Sequence, residues 1–144
     1  MKNMQILIDT NVVLDWLMNR EPFNENAKYI MEQAMFGDVE GHLAAHTFPD
    51  LFYILRKDLD VNKRKQLLLL LCEHFHVIAE NKEIIKSALK NENWNDLEDG
   101  LQMQCALEKD LDYIVTRNIK DFFRSQIKAV LPEEWVALYK RQKL

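Results

Sequence analysis

The sequence predicts an α/β fold: a mostly parallel sheet with helices over both faces. Two observations carry this. Short apolar runs of strand length alternate with longer stretches whose apolar residues recur at helical spacing, the order that a parallel sheet with crossover helices requires. Acidic or amide residues, Asp9, Asp50, Asp96, Asp99, Asn118 and Asp121, stand where those elements end or begin. In parallel sheets, ligands bind outside the carboxyl ends of the strands.

Residues 4–8 read as a buried strand, and 11–18 as a short helix with Val12, Leu14, Trp16 and Leu17 apolar. Arg20-Glu21-Pro22 breaks it. Asn24 is placed to cap a helix over 24–36, with Ala27, Ile30, Met31, Ala34 and Met35 on one face and Gly37-Asp38 ending it. Residues 41–45 are a short second strand, 47–56 a helix, and 60–73 another. A third strand covers 75–79, a helix 81–90 and a polar loop 91–95. A helix over 96–109 leads to a fourth strand, 111–116. Phe122 and Phe123 pack a short helical turn, and 127–131 is a candidate fifth strand. Pro132 suits the first position of a last helix, with Glu133 and Glu134 early and Lys140, Arg141 and Lys143 late, as the helix dipole favours.

At 144 residues the chain predicts one domain, 1–144. Hydrophobic residues at 48% and charged residues at 29% are ordinary for a globular protein. The longest uninterrupted apolar stretch, 67–72, is too short to span a bilayer. No signal-peptide core follows Met1, so the expected location is the cytoplasm, with no membrane. Cys72 and Cys105 lie in apolar helical context and read as buried thiols of a reducing compartment. A net charge of −4 argues against gripping nucleic acid by bulk electrostatics, although acids that hold a cation enter the same count.

Each acid has a structural reading beside the functional one. Asp9, after the first strand, fits a helix N-cap or a ligand for a hard cation such as Mg²⁺ or Mn²⁺. Asp15 reads as a solvent-facing helical residue. Thr47 to Asp50 and Asp96 to Asp99 each fit a capping-box-like helix start. Asn118 suits an Asx turn, and Asp121 a helix-dipole partner. Thr10 and Thr116 are placed to donate hydroxyl hydrogen bonds to the cluster. Together the acids say more than singly. Two carboxylates ~4 Å apart repel by about 4 kcal/mol at an effective dielectric near 20, so a converging set calls for a cation or raised pKa values. Arg117 and Lys120, beside the presumed site, are candidates to hold backbone phosphates. No zinc-binding spacing, nucleotide-binding glycine loop or Ser–His–Asp set is legible.

These motifs together resemble the PIN-domain family, and within it the VapC-like ribonuclease toxins of toxin–antitoxin pairs. The resemblance runs through Ile6-Leu7-Ile8-Asp9-Thr10-Asn11, then Thr47 to Arg56, then Asp96-Leu97-Glu98-Asp99-Gly100-Leu101-Gln102. It ends with Ile114 to Phe122 and Leu131-Pro132-Glu133-Glu134-Trp135. It implies a Rossmann-like α/β/α sandwich of four to five strands and Mg²⁺- or Mn²⁺-dependent endonucleolytic hydrolysis of RNA. It also implies a cognate antitoxin and a homodimer, to which Trp16, Phe36, Phe52 and Tyr53 would lend apolar surface if they are not core. Asp9, Asp50 and Asp99 would be the catalytic, metal-holding acids. Thr10, Asp96, Thr116, Arg117, Asn118 and Asp121 would orient ligands or substrate. Two departures stand out: Asp50 replaces the family's usual Glu, and Asn118 an acid that many members carry. They motivate the alternative of a catalytically weakened PIN domain that binds RNA or a partner. A third reading, a phosphatase or receiver-type domain with Asp9 as phosphoryl acceptor, lacks the second Asp two residues on.

Overall fold

Among the residues described by this computed structural model, 2–122 and 124–144, the strands are β1 (Gln5–Ile8), β2 (Glu40–Ala44), β3 (His76–Ile78), β4 (Tyr113–Val115) and β5 (Ala129–Val130). Successive side chains of a strand face opposite sides, so β1 splits its apolar residues between two cores. Ile6 and Ile8 join one core; Leu7 joins the other. Such two-sided burial suits a parallel sheet, and all four strand pairings are parallel, in the order β3-β2-β1-β4-β5. Phe123, expected to pack beside Phe122, lies outside the described residues.

The helices are α1 (Thr10–Leu17), α2 (Asn24–Phe36), α3 (Thr47–Ile54), α4 (Val61–His74), α5 (Lys82–Lys90), α6 (Leu97–Glu108) and α7 (Pro132–Gln142). Val12, Ile30, Leu51, Leu71 and Trp135, from α1, α2, α3, α4 and α7, cover the face shown by Ile6, Ile8, Leu43, Val115 and Val130. Met103, Cys105 and Ala106 of α6 cover Leu7, Ala44, Ile78 and Ile114 on the opposite face. Helix α5 packs on α6 through Ile84, Ala88 and Leu101. This is the expected α/β/α sandwich. The packing is close at Gly41 on β2, where a Cβ would stand 2.7 Å from Ala34 Cβ and 2.8 Å from the Phe75 ring.

Several local expectations are corrected. Asn24 does not cap α2; Phe23 holds that position without a side-chain cap. Thr47 does not open a capping box, because the N-cap of α3 is His46, and the Thr47 hydroxyl lies instead 2.9 Å from that of Thr10. The tight turn Leu55–Lys57 ends the expected helix early. Asp15 is wholly buried rather than solvent-facing, because Arg117 meets it with two nitrogens, at 2.6 and 3.2 Å. Cys105 is buried as expected, but Cys72 is exposed. Phe36 and Tyr53 are 73% and 61% exposed, so neither is core. Among the described residues no helix is long and apolar enough to cross a membrane.

Candidate functional site

The strand order makes the site. The chain runs outward from β1 through β2 to β3, then crosses over to β4 and β5 on the other side. Neighbouring strands β1 and β4 therefore leave a crevice at their carboxyl ends, the usual ligand position in such sheets. Asp9 follows β1 and Thr116 follows β4, joined by a hydrogen bond from Asp9 N to Val115 O of 3.0 Å.

Asp9 is 8% exposed and its carboxylate is held from several directions. Oδ1 accepts from Thr10 N at 2.7 Å and from Gln102 Nε2 at 3.3 Å. Oδ2 accepts from the Thr116 hydroxyl at 2.7 Å and from Asn11 Nδ2 at 3.3 Å. The cap reading of Asp9 thus holds for α1. Burial nevertheless raises its pKa above the ordinary carboxylate range, despite hydrogen bonds from Thr116 and Thr10 and the nearby charges of His46 and Arg117.

Asp99 enters from the first turn of α6, which Asp96 starts by accepting from Asp99 N at 3.2 Å. Burial, then the charges of Asp96, Asp121 and Asp9, push the Asp99 carboxyl up to about 7. The fold therefore brings together Asp9, Asp96, Asp99 and Asp121 from three parts of the sequence. A cavity of about 150 Å³ beside them is lined by Asn93, Trp94, Asn95, Asp96, Asp99, Lys120 and Asp121.

Asp50 keeps different company. It lies with His46 and Glu98, one potential ligand atom of each being within 4.8 Å of the others. Hydrogen bonding to Asp50, then burial and the Asp50 charge, push the Glu98 carboxyl up to about 7. Glu80, which follows β3, accepts from the backbone N of His46 at 2.6 Å and pairs with its Nδ1 at 2.6 Å. Burial pulls the His46 pKa down. The Glu80 hydrogen bond and the charges of Glu80, Glu98 and Asp50 outweigh it, so the imidazole titrates above its ordinary value. His46 also acts on Asp9, so the two acid groups share one cleft.

The remaining candidates are placed as follows. Thr10 is tied to Asp9 and Thr47. Asn118 is exposed and its N–H donates to the Thr116 hydroxyl at 3.0 Å. Arg117 is committed to Asp15, and its guanidinium lies 4.1 Å from the centre of the Phe23 ring. That leaves Lys120, exposed beside Asp99, as the better placed cation of the two. Sequence alone does not assign His46, Glu80, Glu98 or Gln102 to the site. Glu98 and Gln102 both lie in the motif Asp96 to Gln102, but nothing in the sequence separates them from ordinary residues of a helix start.

The donor set suits a hard divalent cation. Carboxylate oxygens converge, and acids that burial and mutual repulsion drive toward protonation are stabilised by a positive ion instead. Asn11 Oδ1, Gln102 Oε1 and His46 Nε2 are buried and without hydrogen-bond partners.

A family model described as PIN domain matches residues 5–120. No curated protein matches. Among solved structures, the chain resembles a toxin–antitoxin complex from Klebsiella pneumoniae at 22% identity and a TM-score of 0.67, covering 88% of this chain and 97% of that one. It resembles VapBC-1 from nontypeable Haemophilus influenzae at 19% identity and a TM-score of 0.68, covering 90% and 99%. It also resembles the sarcin–ricin-loop-cleaving toxin VapC20 of Mycobacterium tuberculosis at 10% identity and a TM-score of 0.61, covering 76% and 86%.

Proposed function

This chain belongs to the PIN-domain family, and from that premise we propose that it is a divalent-metal-dependent endoribonuclease, the toxin of a toxin–antitoxin pair. The observation that carries the reading is the meeting of Asp9, at the end of β1, with Asp99, at the start of α6, in the β1–β4 crevice. Asp9, Asp50 and Asp99 would hold Mg²⁺ or Mn²⁺. Such an ion supplies positive charge against phosphoryl oxygens and acidifies water. The chain's own residues do the positioning. Thr116, Thr10 and Gln102 fix the rotamer of Asp9. Asp96 and Asp121 add negative charge around Asp99. Lys120 is placed to meet a backbone phosphate.

The partners in this reading are RNA, a cognate antitoxin and a second copy of the chain, and its place is the cytoplasm. Toxin–antitoxin complexes among the similar folds support the antitoxin. Phe36, Tyr53 and Leu69, all more than half exposed, supply apolar surface for protein contacts.

The test is cleavage of total tRNA and a panel of structured RNAs with Mg²⁺, with Mn²⁺ and with EDTA. Metal-dependent cleavage that falls to background in Asp9→Asn and in Asp99→Asn is the expected result. Metal-dependent RNA binding without turnover by the folded protein would replace this reading with the binding-module alternative. Cleavage intact in Asp9→Asn would remove Asp9 from the site.

A further inference from the structure

We infer that the cleft contains a second cation position, formed by His46, Asp50 and Glu98, that takes a transition-metal ion such as Mn²⁺, Co²⁺ or Zn²⁺ in preference to Mg²⁺. One ligand atom from each of the three lies within 4.8 Å of the others. Ligands at roughly 2.1 Å from one ion can lie up to roughly 4.2 Å apart, so closing on an ion needs only a small adjustment. One imidazole faces three carboxylates, since Glu80 is also in contact with His46, and the surplus negative charge favours a cation.

One feature points to a ligand at this position, and a second to the neighbouring Asp9 side of the cleft. The first is the support behind His46. The Glu80 side chain, 9% exposed, holds His46 through its backbone N and through Nδ1, both at 2.6 Å. A carboxylate on one imidazole nitrogen fixes the tautomer and the ring plane and leaves the other nitrogen as a donor to metal. That other nitrogen, Nε2, is buried and has no hydrogen-bond partner. The second is Gln102, 1% exposed. It lies one helical turn beyond Glu98 on the same side of α6, and its amide nitrogen reaches Asp9 at 3.3 Å. Its buried amide oxygen has no partner.

The donors set the preference. Oxygen-only sites suit Mg²⁺, whereas an imidazole with carboxylates suits later divalent ions. Asp50 carries two oxygens, and the ribonuclease reading proposes it for the ion at Asp9 and Asp99 as well. The inference rests on the proposed ribonuclease reading only for that first ion.

The experiment titrates Co²⁺ into the metal-free full chain under excess Mg²⁺, following visible absorption, with Mn²⁺ electron paramagnetic resonance as a second readout. Wild type should retain one Co²⁺ equivalent against Mg²⁺. His46→Gln and Glu98→Gln should each weaken it at least about tenfold, the order seen when metal-site residues are changed, while Asp9→Asn keeps it. Glu98 is exposed, so Glu98→Gln tests the site without touching the core. Complete displacement of Co²⁺ by Mg²⁺, or wild-type binding in both variants, overturns the inference. RNA cleavage measured on the same samples separates the two readings. Cleavage without the Co²⁺ site removes only the second position; a retained Co²⁺ site without cleavage removes only the ribonuclease.

Discussion

Asp99→Asn should make the metal-free protein more stable, increasingly so as pH rises from about 4 and fully above about 7. In the fold, burial and the charges of Asp96, Asp121 and Asp9 push the Asp99 carboxyl up to about 7; in the unfolded chain an aspartate titrates near 4. The folded state therefore keeps its proton to higher pH than the unfolded state. Stability is lost as pH rises from about 4, and the loss is complete once pH exceeds about 7. Three tenfold steps set a ceiling of about 4 kcal/mol, and solvent screening of a partly exposed group brings the expected effect to roughly 1–2 kcal/mol. For a domain of this size that is about 3–8 °C in Tm. Asparagine removes the charge and leaves the backbone N–H that Asp96 caps. Thermal denaturation in EDTA should thus show the variant melting above wild type at pH 8 and level with it at pH 4. Saturating Mn²⁺ should reverse the order at pH 8, because a ligand that binds only the folded state stabilises it. A variant that melts below wild type in EDTA, or a difference that does not change with pH, would refute the reasoning.

Two further outcomes follow from burial. Replacing Arg117 with Met strands the wholly buried Asp15, whose other cationic neighbour, Arg20, stands 3.8 Å away. A cost of about 3–5 kcal/mol is expected; a urea-denaturation change under about 1 kcal/mol would show that Arg20 or water replaces the pair. Thiol labelling of the native protein should modify Cys72 and spare Cys105, whose thiol burial and Glu80 push up to about 12. Two fast equivalents without denaturant would contradict that packing.

The fold was legible because each level agreed. The apolar runs are strand-length, the helices carry readable caps at Asp60, Asn81 and Asp96, and alternation fixes a parallel sheet. The meeting of Asp9 with Asp99 was legible because one follows a strand and the other opens a helix, the ends that a parallel sheet gathers on one side. Asp15 was not, since its partner Arg117 lies 102 residues away and no local pattern encodes that ion pair. His46 and Glu80 were missed for the same reason. Each follows a different strand, and only the parallel pairing of β2 with β3 brings those strand ends together. Glu98 looked like an ordinary acid in the first turn of a helix, a position that the dipole alone explains.

Both departures from the family pattern have a structural counterpart. Asp50 is one methylene shorter than the usual Glu, and Glu98, from the facing start of α6, hydrogen-bonds to it. Reach missing on α3 is thus met from α6, and His46, four residues before Asp50, adds a nitrogen donor to the same group. Asn118 carries no charge, but Asp121, three residues on, is near enough to raise the Asp99 pKa. The negative charge of the cleft is therefore redistributed over neighbouring positions rather than lost. That redistribution leaves the repulsion in place, and repulsion retained in a folded protein is what a cation site requires and what a purely structural cluster would shed.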